Sequence, residues 1–361
     1  MKVIVIGAGV AGLSIGWRLQ QAGVAVTVFD RAQPSFGATW ASAGMIAAGG
    51  ELGGAQTPEA EFAHHSSGLW PAFATEVEET AGQSVHYRRC GALIVARSPT
   101  ELAGLTPWGG AERLDAAQAR AKEPMLAPDI AGAVWDPNEA QVDARRLGVA
   151  LAKAFVRSGG TLVPNEIVLQ VKVEAGRVAG IATPFTKHEA DAYVIAAGAW
   201  SGGLDGLPGG AALPVQPVKG QMLAVAPSKD GRIPAHIIWG NDGYMVPRDD
   251  RLLIGATSEE VGFDTSLTDA AADLLSARAR AVMPALGGWE VVERWAGLRP
   301  GSPDGRPILG RTAVDRLYAA TGQYRNGILY APAIAQHMLS IVLHQAPEIP
   351  AFDPRRFASS E

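Results

Sequence analysis

The first thirty residues change their apolar period twice. Residues 2–6 form a short uninterrupted run of Val and Ile after Lys2, a strand signature, and a glycine turn ends it. Residues 10–21 then read as a helix and residues 25–29 as a second strand, which makes a βαβ unit. Further along, helical patterning falls at 59–81 and 116–122, with short strands at 92–96 and 132–135. A helix over 143–158 leads to a strand at 161–164. A β-meander over 168–183, turning at 174–177, and an apolar strand at 192–197 follow. Strand signals return at 221–226, 237–247 and 251–256, before a helix at 269–283. After 289–295 the chain is again rich in glycine and ends with a strand at 317–320 and a helix at 333–344. No internal repeat or low-complexity tract is present.

This order predicts an α/β protein with a Rossmann-like, discontinuous dinucleotide domain from residues 1–80, 138–213 and 296–361. A strand-rich second domain, residues 81–137 and 214–295, is inserted twice. A small-molecule pocket belongs in the cleft between them. The length of 361 residues suits two domains at about 150 residues each. A composition 47% apolar and 19% charged, with Gly 43 and Pro 24, excludes disorder and collagen.

The net charge of -5, without a long run of either sign, leaves no footprint for nucleic acid or anionic lipid. The single cysteine, Cys90, excludes an intrachain disulfide framework and a multi-cysteine metal cluster, and fits a reducing, cytoplasmic setting. No stretch reaches about 18 uninterrupted apolar residues, so no integral membrane segment is expected. Lys2 before an apolar run imitates a secretory signal, but Arg18 and the glycines interrupt it and no cleavage site follows.

The turn after the first strand is Gly7-Ala8-Gly9-Val10-Ala11-Gly12, with Asp30 closing the second strand 18 residues after Gly12. Gly7 permits the tight turn, Gly9 lets the backbone approach a pyrophosphate, and Gly12 lets helix and strand pack closely. The helix N-terminus offers unpaired N–H groups and a positive dipole to phosphates. Asp30 is placed to accept from a ribose hydroxyl and would repel a 2′-phosphate, which disfavours NADP and leaves NAD and FAD open. Residues 37–50 are small, flexible and neutral, suited to backbone lying against a flat ligand. No Ser/His or His/Asp constellation stands out, and the adjacent His64 and His65 face different directions on a helix, so no metal site is expected.

Seven segments together resemble the D-amino-acid oxidase family of FAD-dependent flavoproteins, in its glycine oxidase group, which is associated with thiamin biosynthesis. They are Gly7–Gly12 with Asp30, Ser42–Ile46, Ala197–Ser201, Pro217–Gly220, Tyr244–Arg248 with Gly255–Thr257, Trp295–Gly301 through Gly305, and Tyr324–Pro332. The resemblance covers nearly the whole chain. It implies FAD, a mixed, largely antiparallel substrate-domain sheet, and oxidation of a small amino acid or amine to an imine by hydride transfer to flavin N5. Oxygen would then be reduced to hydrogen peroxide.

On matched positions, Arg299 clamps the substrate carboxylate, Tyr244 assists it, and Arg325 stands beside the flavin and the substrate amine. The resemblance puts Asp30 and Arg31 at the adenosine ribose, Val168 at the adenine, and Gly198 nearby. Ala38, Thr39, Ala43, Gly44 and Met45 run along the flavin, and Met45 also faces the substrate. Arg325, Asn326, Gly327, Ile328 and Leu329 present N–H groups to the flavin N1 and O2 edge.

Three departures bear on the substrate and cofactor. Ser258 stands where the glycine oxidase pattern has a methionine lining the substrate pocket, which enlarges the expected pocket. Gly243 precedes Tyr244 where a bulkier residue is familiar. Residues 331–335 replace the usual small polar pair. Cys90 is far from the C-terminal cysteine that tethers flavin in the sarcosine-oxidase relatives, so the expected FAD is non-covalent. The family also implies a homo-oligomer. Two other readings stay open: a dehydrogenase passing electrons to a quinone or a protein, and a non-catalytic flavin-binding subunit.

Overall fold

The Val and Ile run at Lys2–Ile6 has no polar face, and the chain buries both sides of it. In the computed structural model, which describes residues 1–227, 231–240 and 242–358, this strand is inside a six-stranded sheet. The order is Ile308–Arg311, Leu317–Thr321, Ala192–Ile195, Lys2–Ile6, Ala25–Phe29, Thr161–Val163. All neighbours are parallel except the first pair. Because side chains alternate across a strand, Val3 and Val5 pack into one core and Ile4 and Ile6 into another.

The first core is closed by the helices Val10–Gln21, Pro58–Ala81, Ala144–Arg157 and Gly327–His344, with Leu13, Trp17, Trp70, Phe73 and Leu151 fully buried. The second is closed by the meander Gln170–Glu174, Arg177–Ala182, Lys187–His188, through Val171, Val178 and Ile181.

A second sheet has eight strands in the order Glu290–Gly301, Gln216–Ala226, Leu252–Gly255, Gly243–Pro247, Ile237–Gly240, Ala92–Ala96, Gly132–Asp136, Glu112–Asp115. It is antiparallel apart from the pair Ile237–Gly240 and Ala92–Ala96. One face packs Leu223, Val225 and Ile254 against the helix Asp269–Val282. The opposite face sets Met222, Tyr244, Val246 and Trp295 against Ala41, Ala43 and Ala47 of the glycine-rich stretch. Small residues were needed there: a Cβ on Gly297 would lie 2.4 Å from the Ala41 Cβ.

Three differences from the expected elements have physical causes. The expected strand over 237–247 is two antiparallel strands, with Asn241 between them outside the described residues. Glu290–Gly301 pairs with Gln216–Ala226 along its whole length, so the expected boundary at 295/296 cuts through a continuous ladder.

The last helix starts at Gly327, six residues before the expected 333, and runs through Pro332. A proline inside a helix frees a carbonyl and crowds the preceding turn. The next carbonyl, that of Leu329, is met from the side: the Ser66 hydroxyl and the Trp70 indole N–H both donate to it, at 2.7 and 3.0 Å. The Ala333 N–H in turn donates to Ser66 Oγ. Among the described residues this is the one helix long and apolar enough to cross a bilayer, and most of it is buried in the core.

Candidate active site

A cavity of about 470 Å³ runs between the two sheets, large enough for a sizeable ligand. One end is built by the first βαβ unit. Gly7 has φ +109, and a Cβ there would sit 2.3 Å from the Ala196 carbonyl oxygen. Gly12 faces its neighbour rather than the cavity, and its Cβ would fall 1.9 Å from the Gly7 oxygen. A Cβ on Gly9, by contrast, would meet nothing nearer than Thr39 Oγ1 at 3.5 Å, so its open side is cavity.

Asp30 locks this turn by accepting from the Ala8 N–H (2.7 Å) and the Ala32 N–H (2.9 Å). Burial pushes its carboxyl up, and those two hydrogen bonds draw it back. The Thr39 hydroxyl takes the Val10 N–H at 2.9 Å. The N–H groups of Gly9, Ala11 and Gly12 have no partner among the described residues, which leaves a helix N-terminus open to an anion. Arg31 lies over the Trp200 ring at 3.7 Å, with Val168 and Gly198 on the same wall.

The other end gathers charge. Arg299, on the strand paired with Gln216–Ala226, fills the space a side chain at Gly220 would take: a Cβ there would be 2.4 Å from the guanidinium. Its Nη1 donates to the carbonyls of Thr257 (3.1 Å) and Lys219 (3.4 Å), and it has no carboxylate partner among the described residues. Tyr244 is 8% exposed, beside Arg299 and Arg325; burial pushes its hydroxyl up, and both guanidiniums oppose the shift. Arg325 Nε lies 3.4 Å from Glu51 Oε2. Ala38, Thr39, Ala43 and Met45 line the wall, as do Asn326, Gly327, Ile328 and Leu329. The last three residues open the terminal helix, and their N–H groups have no backbone partner, so a second helix N-terminus meets the cavity.

Of the residues expected to touch ligand, Gly12, Gly44 and Ser258 are not on the wall. Gly12 serves helix packing, as its spacing implied. Gly44 has φ +73, and its missing Cβ makes room for the Val142 carbonyl at 2.0 Å. Ser258 is exposed: past the strand Leu252–Gly255 the Thr257 side chain turns inward, where its hydroxyl oxygen accepts from the Gln221 N–H at 2.8 Å, and Ser258 is left outside. Its hydroxyl lies 3.3 Å from that of Tyr324, which is on the wall. Gly243 also lies off this cavity; a Cβ there would be 2.7 Å from the Gly255 carbonyl oxygen across the hairpin. Cys90 is not on the wall, and burial pushes its thiol up. Among the described residues no cluster of His, Cys, Asp and Glu is arranged to hold a metal ion.

Sequence reasoning missed Glu51, Gln323 and Tyr324, all on the wall. Glu51 rides on the short helix Ala48–Leu52, which Glu139 anchors by accepting from the N–H groups of Gly49 (2.8 Å) and Gly50 (3.3 Å). Glu139 is 3% exposed, and burial, with Asp136 and Glu51 nearby, pushes its carboxyl up to about 8.

In the unfolded chain that carboxyl loses its proton near its ordinary value of 4.5. Its contribution to stability is therefore full below 4.5 and falls as pH rises to about 8. Glu139→Gln keeps the acceptor oxygen and removes the ionisation. It is expected to flatten the loss of Tm between pH 5 and pH 8, an effect on the order of a few kcal/mol at pH 8. Thermal unfolding of both proteins across that range checks it; parallel curves would refute it.

The chain matches the DAO family, described as FAD dependent oxidoreductase, over residues 2–340, and it belongs to that family. It is 32% identical to a glycine oxidase of Pseudomonas aeruginosa over 99% of this chain and 98% of that one. A bifunctional ThiO/ThiG protein of Synechocystis sp. is 36% identical over 99% of this chain; the chain spans 54% of that longer relative. The solved glycine oxidase from Geobacillus kaustophilus superposes with a TM-score of 0.88 at 30% identity, over 99% of this chain and 98% of that one. An iminodiacetate oxidase from Chelativorans sp. superposes at 0.87, with 26% identity, over 96% of this chain and 97% of that one.

The residues present fit FAD. The two open helix N-termini, the clear side of Gly9 and the buried, unpartnered Gln323 Nε2 on the wall form a cradle with polar groups waiting for a ligand.

Proposed function

We propose that this chain oxidises glycine or another small amino acid or amine, sarcosine and small D-amino acids included, to an imine. The imine takes up water and releases an oxoacid and the amine, ammonia from glycine or a D-amino acid and methylamine from sarcosine, while oxygen is reduced to hydrogen peroxide. The observation that carries this reading is Arg299: a guanidinium on a cavity wall, held by two carbonyls and without a carboxylate of its own. FAD, when bound, accepts the hydride and passes the electrons to oxygen.

Arg299 binds the substrate carboxylate through its free N–H groups. Tyr244, kept protonated by burial, donates to the same carboxylate. Asp30 and the open N–H groups of Gly9 and Ala11 hold the dinucleotide. Gly327, Ile328 and Leu329 place a helix N-terminus where a reduced ring gathers negative charge. Among the described residues no histidine stands on the cavity wall, and the positive Arg325 favours the neutral form of the substrate amine. Positioning supplies most of the catalysis.

The test is turnover of the flavin-loaded protein with glycine, sarcosine and D-alanine, following oxygen, peroxide and the released amine. Equal molar consumption of oxygen and formation of peroxide and released amine with at least one of them is the expected result. No turnover with any of the three, under oxygen or an acceptor dye, would overturn the reading. Turnover with the dye alone would replace oxygen as the acceptor.

A further inference from the structure

The inner end of the cavity carries two cations and one anion. Arg299, Arg325 and Glu51 all act on the Tyr244 hydroxyl, so the three charges share one small volume. Glu51 is only 12% exposed and paired with Arg325 at 3.4 Å; burial pushes its carboxyl up, and the Arg325 and Arg299 guanidiniums oppose that shift, so its charge is held by the ion pair. The sum is one positive charge, which a single substrate carboxylate on Arg299 neutralises.

We propose that Glu51 restricts this site to substrates bearing one carboxylate, by occupying Arg325 and repelling a second anionic group. The proposal rests on the amino-acid oxidation argued above. A second carboxylate would have Arg325 as its natural partner, because a guanidinium binds carboxylates in a fixed fork. Glu51 already fills that place. A dicarboxylate substrate therefore meets a like charge in a half-closed site, where such juxtapositions are strongly unfavourable.

The position of Glu51 is built rather than incidental. The Ala48–Leu52 helix is tied from one side by the Glu139 carboxyl. Two indoles leave it no slack: a Cβ on Gly49 would lie 1.9 Å from Trp108 Nε1, and one on Gly50 would lie 2.7 Å from Trp239 Nε1. Trp239 in turn meets Tyr244 edge-on, with ring centroids 5.5 Å apart. The backbone that aims Glu51 is thus packed into the same wall as the tyrosine that serves the carboxylate.

The experiment compares propionate with malonate, two three-carbon acids in which malonate carries a second carboxylate where propionate has a methyl group, as ligands perturbing the spectrum of the FAD-loaded protein. The natural protein is expected to bind propionate about 10-fold or more tighter than malonate. Glu51→Gln keeps the shape and removes the charge, and is expected to move that ratio toward malonate by about 10- to 100-fold. The ratio of kcat/KM for iminodiacetate over glycine should rise in the same direction.

An unchanged ratio in the variant would overturn the proposal. Should the variant fail to load FAD, the natural protein still decides, because malonate binding as tightly as propionate overturns it too. A protein that discriminates the two acids through Glu51 but oxidises no amine would sink the proposed reaction alone. One that oxidises glycine without such discrimination would sink this proposal alone.

Discussion

Replacing Arg299 by alanine is expected to lower kcat/KM for the amino-acid substrate by roughly 30- to 5,000-fold, the equivalent of about 2 to 5 kcal/mol for a desolvated charge pair. The loss should fall mainly on substrate binding, since the guanidinium is held by the Thr257 and Lys219 carbonyls and is not tied to the FAD cradle. FAD content and Tm should therefore stay close to those of the natural protein, and the spectral response to propionate should vanish. Arg299→Lys keeps the charge without the fork and is expected to recover only part of the loss. An alanine variant with unchanged kinetics would mean that the carboxylate binds elsewhere, and would revive the non-catalytic reading of the fold.

The second large effect is expected at Gly12. Its absent Cβ would stand 1.9 Å from the Gly7 oxygen and 3.3 Å from the Ala196 Cβ, and the nearer atom is backbone that cannot swing aside. Gly12→Val must lift the Val10–Gln21 helix from the first strand, a cost of a few kcal/mol for overpacking. The same displacement would spoil the helix N-terminus proposed to hold the dinucleotide phosphates. The variant should be purified colourless, with a lowered Tm. Gly9→Ala is the discriminating companion, because a Cβ there meets only Thr39 Oγ1 at 3.5 Å. It should fold with a near-normal Tm and lose FAD affinity. A yellow Gly12→Val protein with unchanged Tm would contradict the helix-to-strand contact as drawn.

The parts of this architecture that were legible in the sequence are those dictated locally. The Val and Ile run at Lys2–Ile6, the glycine spacing after it and Asp30 constrain one another within thirty residues, and strand, turn and helix fall where the pattern puts them. Arg299, Tyr244 and Arg325 do meet at one cavity, although 55 residues or more separate Tyr244 from the other two in the chain. What identified them in the sequence was family resemblance, not periodicity.

The readings that failed depend on contacts that sequence spacing does not display. The last helix, expected from 333, runs back through Pro332 to Gly327, in a turn where Ser66 and Trp70, some 260 residues away, both bind the Leu329 carbonyl. Ser258 follows a motif that reaches the pocket, yet it lies past the end of the strand and is exposed, while the Thr257 side chain is the one turned inward, to the Gln221 N–H. Glu51 gives no local signal at all. Its role comes from Arg325, 274 residues on, and from Glu139 and the two tryptophans that fix its helix. The continuous strand Glu290–Gly301 hides the expected domain boundary for a similar reason, because its ladder partner lies more than sixty residues earlier.

The most direct test of the whole account is the visible spectrum of the purified, FAD-loaded protein, mixed with glycine in the absence of oxygen. The account predicts that the yellow colour bleaches, that one oxoacid forms per flavin, and that admitting air restores the spectrum with release of peroxide. A protein that cannot take up FAD, or a yellow protein that glycine, sarcosine and small D-amino acids all leave unbleached, would contradict it.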